Sequence, residues 1–304
     1  MEIAIMIEGQ NGLTWARWRN LVAAVEDLGF AGLYRSDHFT NASPPDQESL
    51  ELWVSLTWLA DHTRRIEFGS LVSPVSFRSP ALTARMAAAV DDLSRGRLTL
   101  GLGAGWQERE HSLFGYDLLD LKARFDRFEE GLQVITLLLN GDAPVSFSGK
   151  YFQLRQAVLL PRPARRGGPR LLIGGNGEKR TLPLAARYAD EWNLVFARPS
   201  EVIRLNKVLT GLLAAEGRPA DAVRRSMMTG LRFGRTKKEL SEKLASRNQS
   251  AEELRKRGFL VGVGDEVKEQ LDDLAKTGLQ RVMLQWLDLE DLKGLTALAK
   301  HVLG

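Results

Sequence analysis

Arg97-Leu98-Thr99-Leu100-Gly101-Leu102-Gly103-Ala104-Gly105-Trp106 reads as an apolar β-strand over 97–102 that stops at a glycine-rich turn. Such a turn opens either a doubly wound nucleotide-binding sheet or one unit of a (β/α) barrel. The dinucleotide fingerprint needs a third glycine, and the chain has Trp106 in its place. Working outward, strand-like and helix-like periodicities alternate on both sides. Upstream lie strands over 3–7, 31–34 and 66–69, with helices over 14–28, 48–60 and 81–93 between and after them. Thr14 is suited to cap the first helix and Gly29 to end it. Downstream come a helix over 122–139, strands over 170–173, 191–196, 225–231 and 281–286, and helices over 178–188, 201–215 and 289–302. Eight βα units imply a closed (β/α)8 TIM barrel, an α/β fold, in a single domain over residues 1–304. Two insertions interrupt it. A hairpin is expected over about 141–156, and a charged helical insertion over about 232–262 is a candidate lid.

Composition narrows the chemistry. Of 304 residues 44% are hydrophobic and 26% charged, which excludes a disordered or fibrous chain. There is no cysteine, so thiol nucleophiles, disulfides, thiolate zinc sites and iron–sulfur clusters are excluded together. No apolar run reaches a membrane span and the amino terminus has no leader pattern, so a cytoplasmic location and no membrane contact are expected. The net charge of +4 is too small to argue for nucleic acid. Residues 155–187 nevertheless carry eight basic side chains against one acid, Glu178, a stretch that either holds an anion or is simply solvated.

In a barrel of this kind chemistry belongs just after the carboxyl ends of the strands. Asp37-His38, Ser70 to Ser73, Gly103 to Glu110 and Gly174 to Arg180 all fall there. The Gly174-Gly175-Asn176-Gly177 turn, followed by Glu178, Arg180 and Thr181, offers backbone N–H groups and positive charge to a phosphate; its other reading is a plain strand-to-helix turn. His38 can exchange a proton near neutral pH with Asp37 orienting it, and Glu108, Glu110 and His111 face the same mouth or lie on a solvated helix. Four histidines without a His-x-His pair are too few for a metallohydrolase, so no metal site is expected. Trp53, Trp106 and Trp192 are either walls for a flat ring or core.

The segments Ala31 to His38, Phe68 to Pro74 with Phe77 to Pro80, Gly96 to Trp106, and Ile173 to Leu182 with Ala189 to Asn193 together resemble the bacterial luciferase-like superfamily, in its deazaflavin (coenzyme F420)-dependent oxidoreductase branch. The resemblance implies hydride transfer between F420 and a small organic substrate. Asp37 would contact the cofactor and His38 would stand near the hydride-carrying carbon. A non-prolyl cis peptide at Ser70-Leu71 would back the ring, Ser73 would reach it, Gly105 and Trp106 would lie beside it, and the run from Gly175 to Thr181 would hold the phosphate. Sugar-phosphate dehydrogenases of the family carry a glutamate where this chain has Trp106, and relatives often have histidine where it has Ser79. Glucose-6-phosphate is therefore disfavoured, and Glu108 or Glu110 is left to supply the acid. The alternatives are an FMN-dependent monooxygenase fed by a partner flavin reductase and a non-catalytic flavin- or deazaflavin-binding protein. Relatives are often homodimers, which is the expectation here.

Overall fold

The computed structural model describes residues 1–304 and shows the closed parallel barrel. Its eight staves are β1 (Glu2–Ile7), β2 (Gly32–Arg35), β3 (Glu67–Ser70), β5 (Leu98–Gly103), β8 (Arg170–Gly174), β9 (Glu191–Val195), β10 (Arg224–Phe233) and β12 (Arg281–Gln285). All neighbouring pairs are parallel, and β1 closes the ring on β12 with Glu2 opposite Arg281. A two-residue strand, β4 (Ser73–Pro74), adds to β5 above the end of β3.

Helices α1 (Trp15–Leu28), α2 (Leu52–His62), α3 (Pro80–Leu93), α5 (Leu121–Asn140), α6 (Thr181–Tyr188), α7 (Pro199–Ala215), α10 (Gly264–Ala275) and α11 (Leu292–Val302) surround the strands. Thr14 caps α1 by accepting from Arg17 N, and Gly29 ends it in the left-handed region at φ 94°. Apolar faces of strands and helices merge into one cluster of 63 buried residues, from Ile3 to Ala299. None of the helices is long and apolar enough to cross a membrane.

The hairpin is present as β6 (Val145–Ser148) against β7 (Gln153–Ala157). The second insertion, expected to be charged and helical over about 232–262, is helical only in part. It is two helices, α8 (Lys237–Ala245) and α9 (Ala251–Lys256), broken where Asn248 takes φ 48°, and then a short strand, β11 (Leu260–Gly262), on β10. Leu240, Leu254, Phe259 and Val261 give the insertion its own small core. The second helix expected, over 48–60, begins only at Leu52, because Glu51 caps it through Val54 N.

The floor of the barrel is a charge network at the strand starts. Arg281, 1% exposed, donates to Glu2 (2.6 Å), Glu67 (2.5 Å), Glu191 (3.2 Å) and the Tyr34 hydroxyl (2.5 Å). Burial pushes the Tyr34 phenol up despite Arg281 beside it. Burial also works against the Glu67 carboxylate, but Arg281, Arg170 and Arg224 outweigh it and hold Glu67 below its ordinary 4.5.

Candidate active site

At the opposite end, a cavity of about 550 Å³ opens among the carboxyl ends of the strands. Its wall on one side is the bulge between β3 and β4, where Leu71 and Val72 project. Facing strands are bare there. A Cβ on Gly103 would lie 2.7 Å from Val72 Cγ2, one on Gly174 3.1 Å from Val72 Cγ1, and one on Gly101 2.0 Å from Ser70 O. Glycine at these positions lets the bulge sit against the neighbouring strands. The peptide bond that is cis is Leu71–Val72, not Ser70–Leu71: the register of the bulge is one residue later than the family resemblance implied. Ser70 lies below it, its hydroxyl donating to Gly101 O (2.8 Å).

His38 borders the cavity. Its Nδ1 meets Glu110 Oε1 at 2.9 Å, and Glu110 Oε2 accepts from Phe39 N at 2.8 Å. Glu110 reaches it from α4 (Glu108–Phe114), a short helix after β5, and is fully buried. Burial disfavours charge on His38, but the Glu110 hydrogen bond and charge, with Glu8 and Asp37 adding to them, raise its pKa above 6.5. The ring stands edge-on to the indole of Trp106, 5.5 Å between centroids, and Nε2 has no protein partner. Glu108 is exposed and does not approach it. His111 also borders the cavity, with Nδ1 on Gln107 O (2.7 Å) and Nε2 on Ser76 Oγ (2.8 Å). Its pKa is lowered by burial, so the neutral ring fits these two contacts.

Asp37 does not border the cavity. Its Oδ2 accepts from Ser73 Oγ (2.5 Å) and from Arg78, whose other Nη donates to Oδ1 (3.1 Å) and to Glu51 (2.7 Å). Burial raises its pKa against the Arg78 charge. Asp37 and Ser73 thus meet each other, and neither lines the cavity. Of the three tryptophans only Trp106 lines the cavity; Trp53 and Trp192 are core, at 5% and 0% exposure.

The glycine turn divides similarly. Gly175, φ 123°, and Thr181 border the cavity, whereas Asn176 pairs its amide with the Val195 backbone, Glu178 with Arg204 and Arg180 with Asp126. Helix α6 starts at Thr181 rather than at Glu178, leaving Gly177 to Arg180 as a turn. The basic run of residues 155–187 is likewise dispersed: Arg165 is bonded to Asp91, Arg170 to Glu67 and Arg187 to Glu129 and Glu216. The cationic side chain that does border the cavity is Arg124 of α5, and its Nε is buried without a partner.

Three polar residues with no motif around them, Glu8, Asn193 and Gln285, also line the space. Glu8, after β1, accepts from Gln10 (3.0 Å) and Gln285 (2.8 Å), and Asn193 of β9 presents a buried amide oxygen with no partner. An apolar slot bounded by Leu71 and Val72, cationic at the Arg124 end and carrying orphaned polar atoms, fits a flat heterocycle with an anionic tail.

Fold and site together define a (β/α)8 barrel with a cavity of about 550 Å³ at its carboxyl face. The model of the luciferase-like monooxygenase family matches residues 1–296, and the chain belongs to that family. Among its relatives is the phthiodiolone/phenolphthiodiolone dimycocerosates ketoreductase of Mycobacterium bovis, 30% identical over 228 residues, 74% of this chain and 56% of that protein. The 4-hydroxyprotoasukamycin monooxygenase of Streptomyces nodosus subsp. asukaensis is 33% identical over 173 residues, 56% of this chain and 45% of that protein. The chain thus spans about half the length of these curated relatives. An F420-dependent secondary alcohol dehydrogenase, in complex with an F420-acetone adduct, superimposes with a TM-score of 0.86 at 19% identity, covering 99% of this chain and 97% of its own. F420-dependent and oxygenating enzymes therefore share this fold.

Proposed function

We propose that this chain is an oxidoreductase that passes a hydride between coenzyme F420 and a small organic substrate, with His38 handling the accompanying proton. The observation that carries the reading is the fixed imidazole. With Nδ1 engaged by buried Glu110, His38 keeps Nε2 free beside the cavity. Leu71 and Val72 would support the ring, and Gly175, Thr181 and Arg124 would take its phosphate. When bound, the deazaflavin supplies or accepts the hydride. The protonated imidazole gives a proton to the substrate oxygen on reduction, and the neutral imidazole removes it on oxidation. Glu110 acts through His38 and is a positioning residue. Trp106, 61% exposed above His38, would screen the reacting atoms from water once substrate is seated.

The test is an anaerobic titration of the protein with F420 and, separately, FMN, followed by absorbance. Micromolar or tighter F420 binding with weaker FMN binding supports the reading. Preference for FMN moves the chain to flavin-dependent oxygenation, which oxygen consumption on turnover would establish. Tight binding with no turnover of any carbonyl or alcohol in a screen leaves a binding protein, and binding of neither ring overturns the proposal. With a substrate in hand, His38→Ala should lower kcat by roughly 10²- to 10⁴-fold, the usual span for a positioned acid or base, with F420 affinity unchanged.

A further inference from the structure

Beside the large cavity lies a smaller one of about 210 Å³, between the ends of β10 and β12 and helix α8. Gln285 borders both, and its amide donates to Glu8 on the large-cavity side, so the two cavities meet at its side chain. Arg232 and Arg247 line the small cavity. Arg232 is half-buried, with Nε on Gln249 (2.8 Å) and Nη1 on Leu231 O (2.9 Å), and it makes no ion pair. Burial lowers its pKa, and the charges acting on it are those of Arg247 and Arg257, both repulsive. Arg247 makes no side-chain hydrogen bond, and Arg257 lies over the Phe259 ring.

Two further groups define the chemistry. Lys243 borders the cavity but is already bonded to Glu239 and Asp291, and Asp288 stands exposed at its edge without an ion pair. Trp286, 5% exposed, forms part of the wall, and its indole N–H is buried without a partner. A cavity lined by two arginines that repel each other and by a tryptophan whose indole donor has no partner is a site short of one anion.

We propose that this cavity is an anion subsite that takes a carboxylate or phosphate carried by the substrate, whose reacting carbon lies across Gln285 beside His38. The chain's substrates are then organic acids or phosphate esters with the anionic group remote from the reacting carbon. That assignment rests on the oxidoreductase reading above, but the site itself does not.

Inorganic phosphate is the probe, titrated calorimetrically into wild type, a double Arg232→Gln, Arg247→Gln variant, and Trp286→Phe. The Thr181 end of the large cavity is common to all three, so differences between them isolate the small cavity. The double variant should bind one phosphate fewer per chain, or that phosphate about tenfold or more weakly, and Trp286→Phe should weaken it about three- to tenfold. Arg247→Gln alone, at an exposed residue, controls for folding and should also weaken phosphate. Equal phosphate binding by all the proteins overturns the subsite.

A second arm compares F420 with the deazaflavin riboside that lacks phosphate and glutamates. Unchanged affinity for both in the double variant supports a substrate site. Loss of F420 affinity alone assigns the subsite to the cofactor tail and overturns the substrate assignment. Failure of wild type to bind either ring would sink the oxidoreductase reading while leaving the phosphate result to be judged by itself.

Discussion

His38 and Glu110 are 72 residues apart in the chain and 2.9 Å apart in space, which makes the pair a sensitive probe of the site. Glu110→Gln should lower the His38 pKa, read by NMR titration of the ring. The sign follows from burial: without the Glu110 carboxylate, only the smaller effects of the Glu8 and Asp37 charges oppose desolvation of the charged imidazole. A merely structural role for Glu110 would not move that titration. At the floor, Arg281→Met should destabilise the fold by about 3–5 kcal/mol in urea unfolding, because Glu191, 1% exposed, would keep a buried charge with no partner. The Asp37-His38 dipeptide and Glu110 were visible in the sequence as polar residues after strands, and so was Glu108, which is exposed where Glu110 is buried against His38. Glu8, Arg124, Asn193 and Gln285 were not visible. Each is a single polar residue without a spacing pattern, and only barrel closure brings them to one cavity.

Among the elements, the β3–β4 bulge depends on glycines on the strands beside it. Gly103→Ala would place a methyl 2.7 Å from a methyl of Val72, a residue that lines the cavity, so Val72 must shift. The expected outcome is weaker ring binding in the anaerobic titration, with a melting temperature lowered by only a few degrees, the order of shift for a loss near 1 kcal/mol. Gly101→Ala meets backbone, Ser70 O at 2.0 Å, and should impair folding itself, seen as loss of soluble, cooperatively melting protein. Strand and helix periodicity made the eight units legible to within a few residues. Periodicity failed in the second insertion. The three residues of β11 are too few to show a period, and the break between α8 and α9 lies in a polar stretch, Ser246 to Ser250, that a helical pattern tolerates. At the glycine turn after β8, what the sequence left open was where its charges go. Its charged residues Arg180 and Glu178 are used in ion pairs with Asp126 of α5 and Arg204 of α7, contacts set by packing and not by local sequence.

For the molecule as a whole, one continuous core links every stave, while charge is sorted to the two ends of the barrel: the Arg281 network at the strand starts and His38 with Glu110 at the strand ends. Glu67 at the floor and His38 at the mouth are shifted in opposite directions. Glu67 is held below its ordinary 4.5, so its contribution to stability is present above that value and is lost as pH falls through the folded-state pKa. His38 is raised above 6.5, so its proton is kept at 6.5 and released as pH climbs through its folded-state value. A pH series with circular dichroism and turnover on the same samples should therefore separate two failures. Acid should cost the fold, and mild alkali should stop carbonyl reduction in protein whose spectrum is unchanged. A barrel with its ballast at the keel and its working gear on deck can lose either one alone, and each loss announces itself at the opposite end of the pH scale.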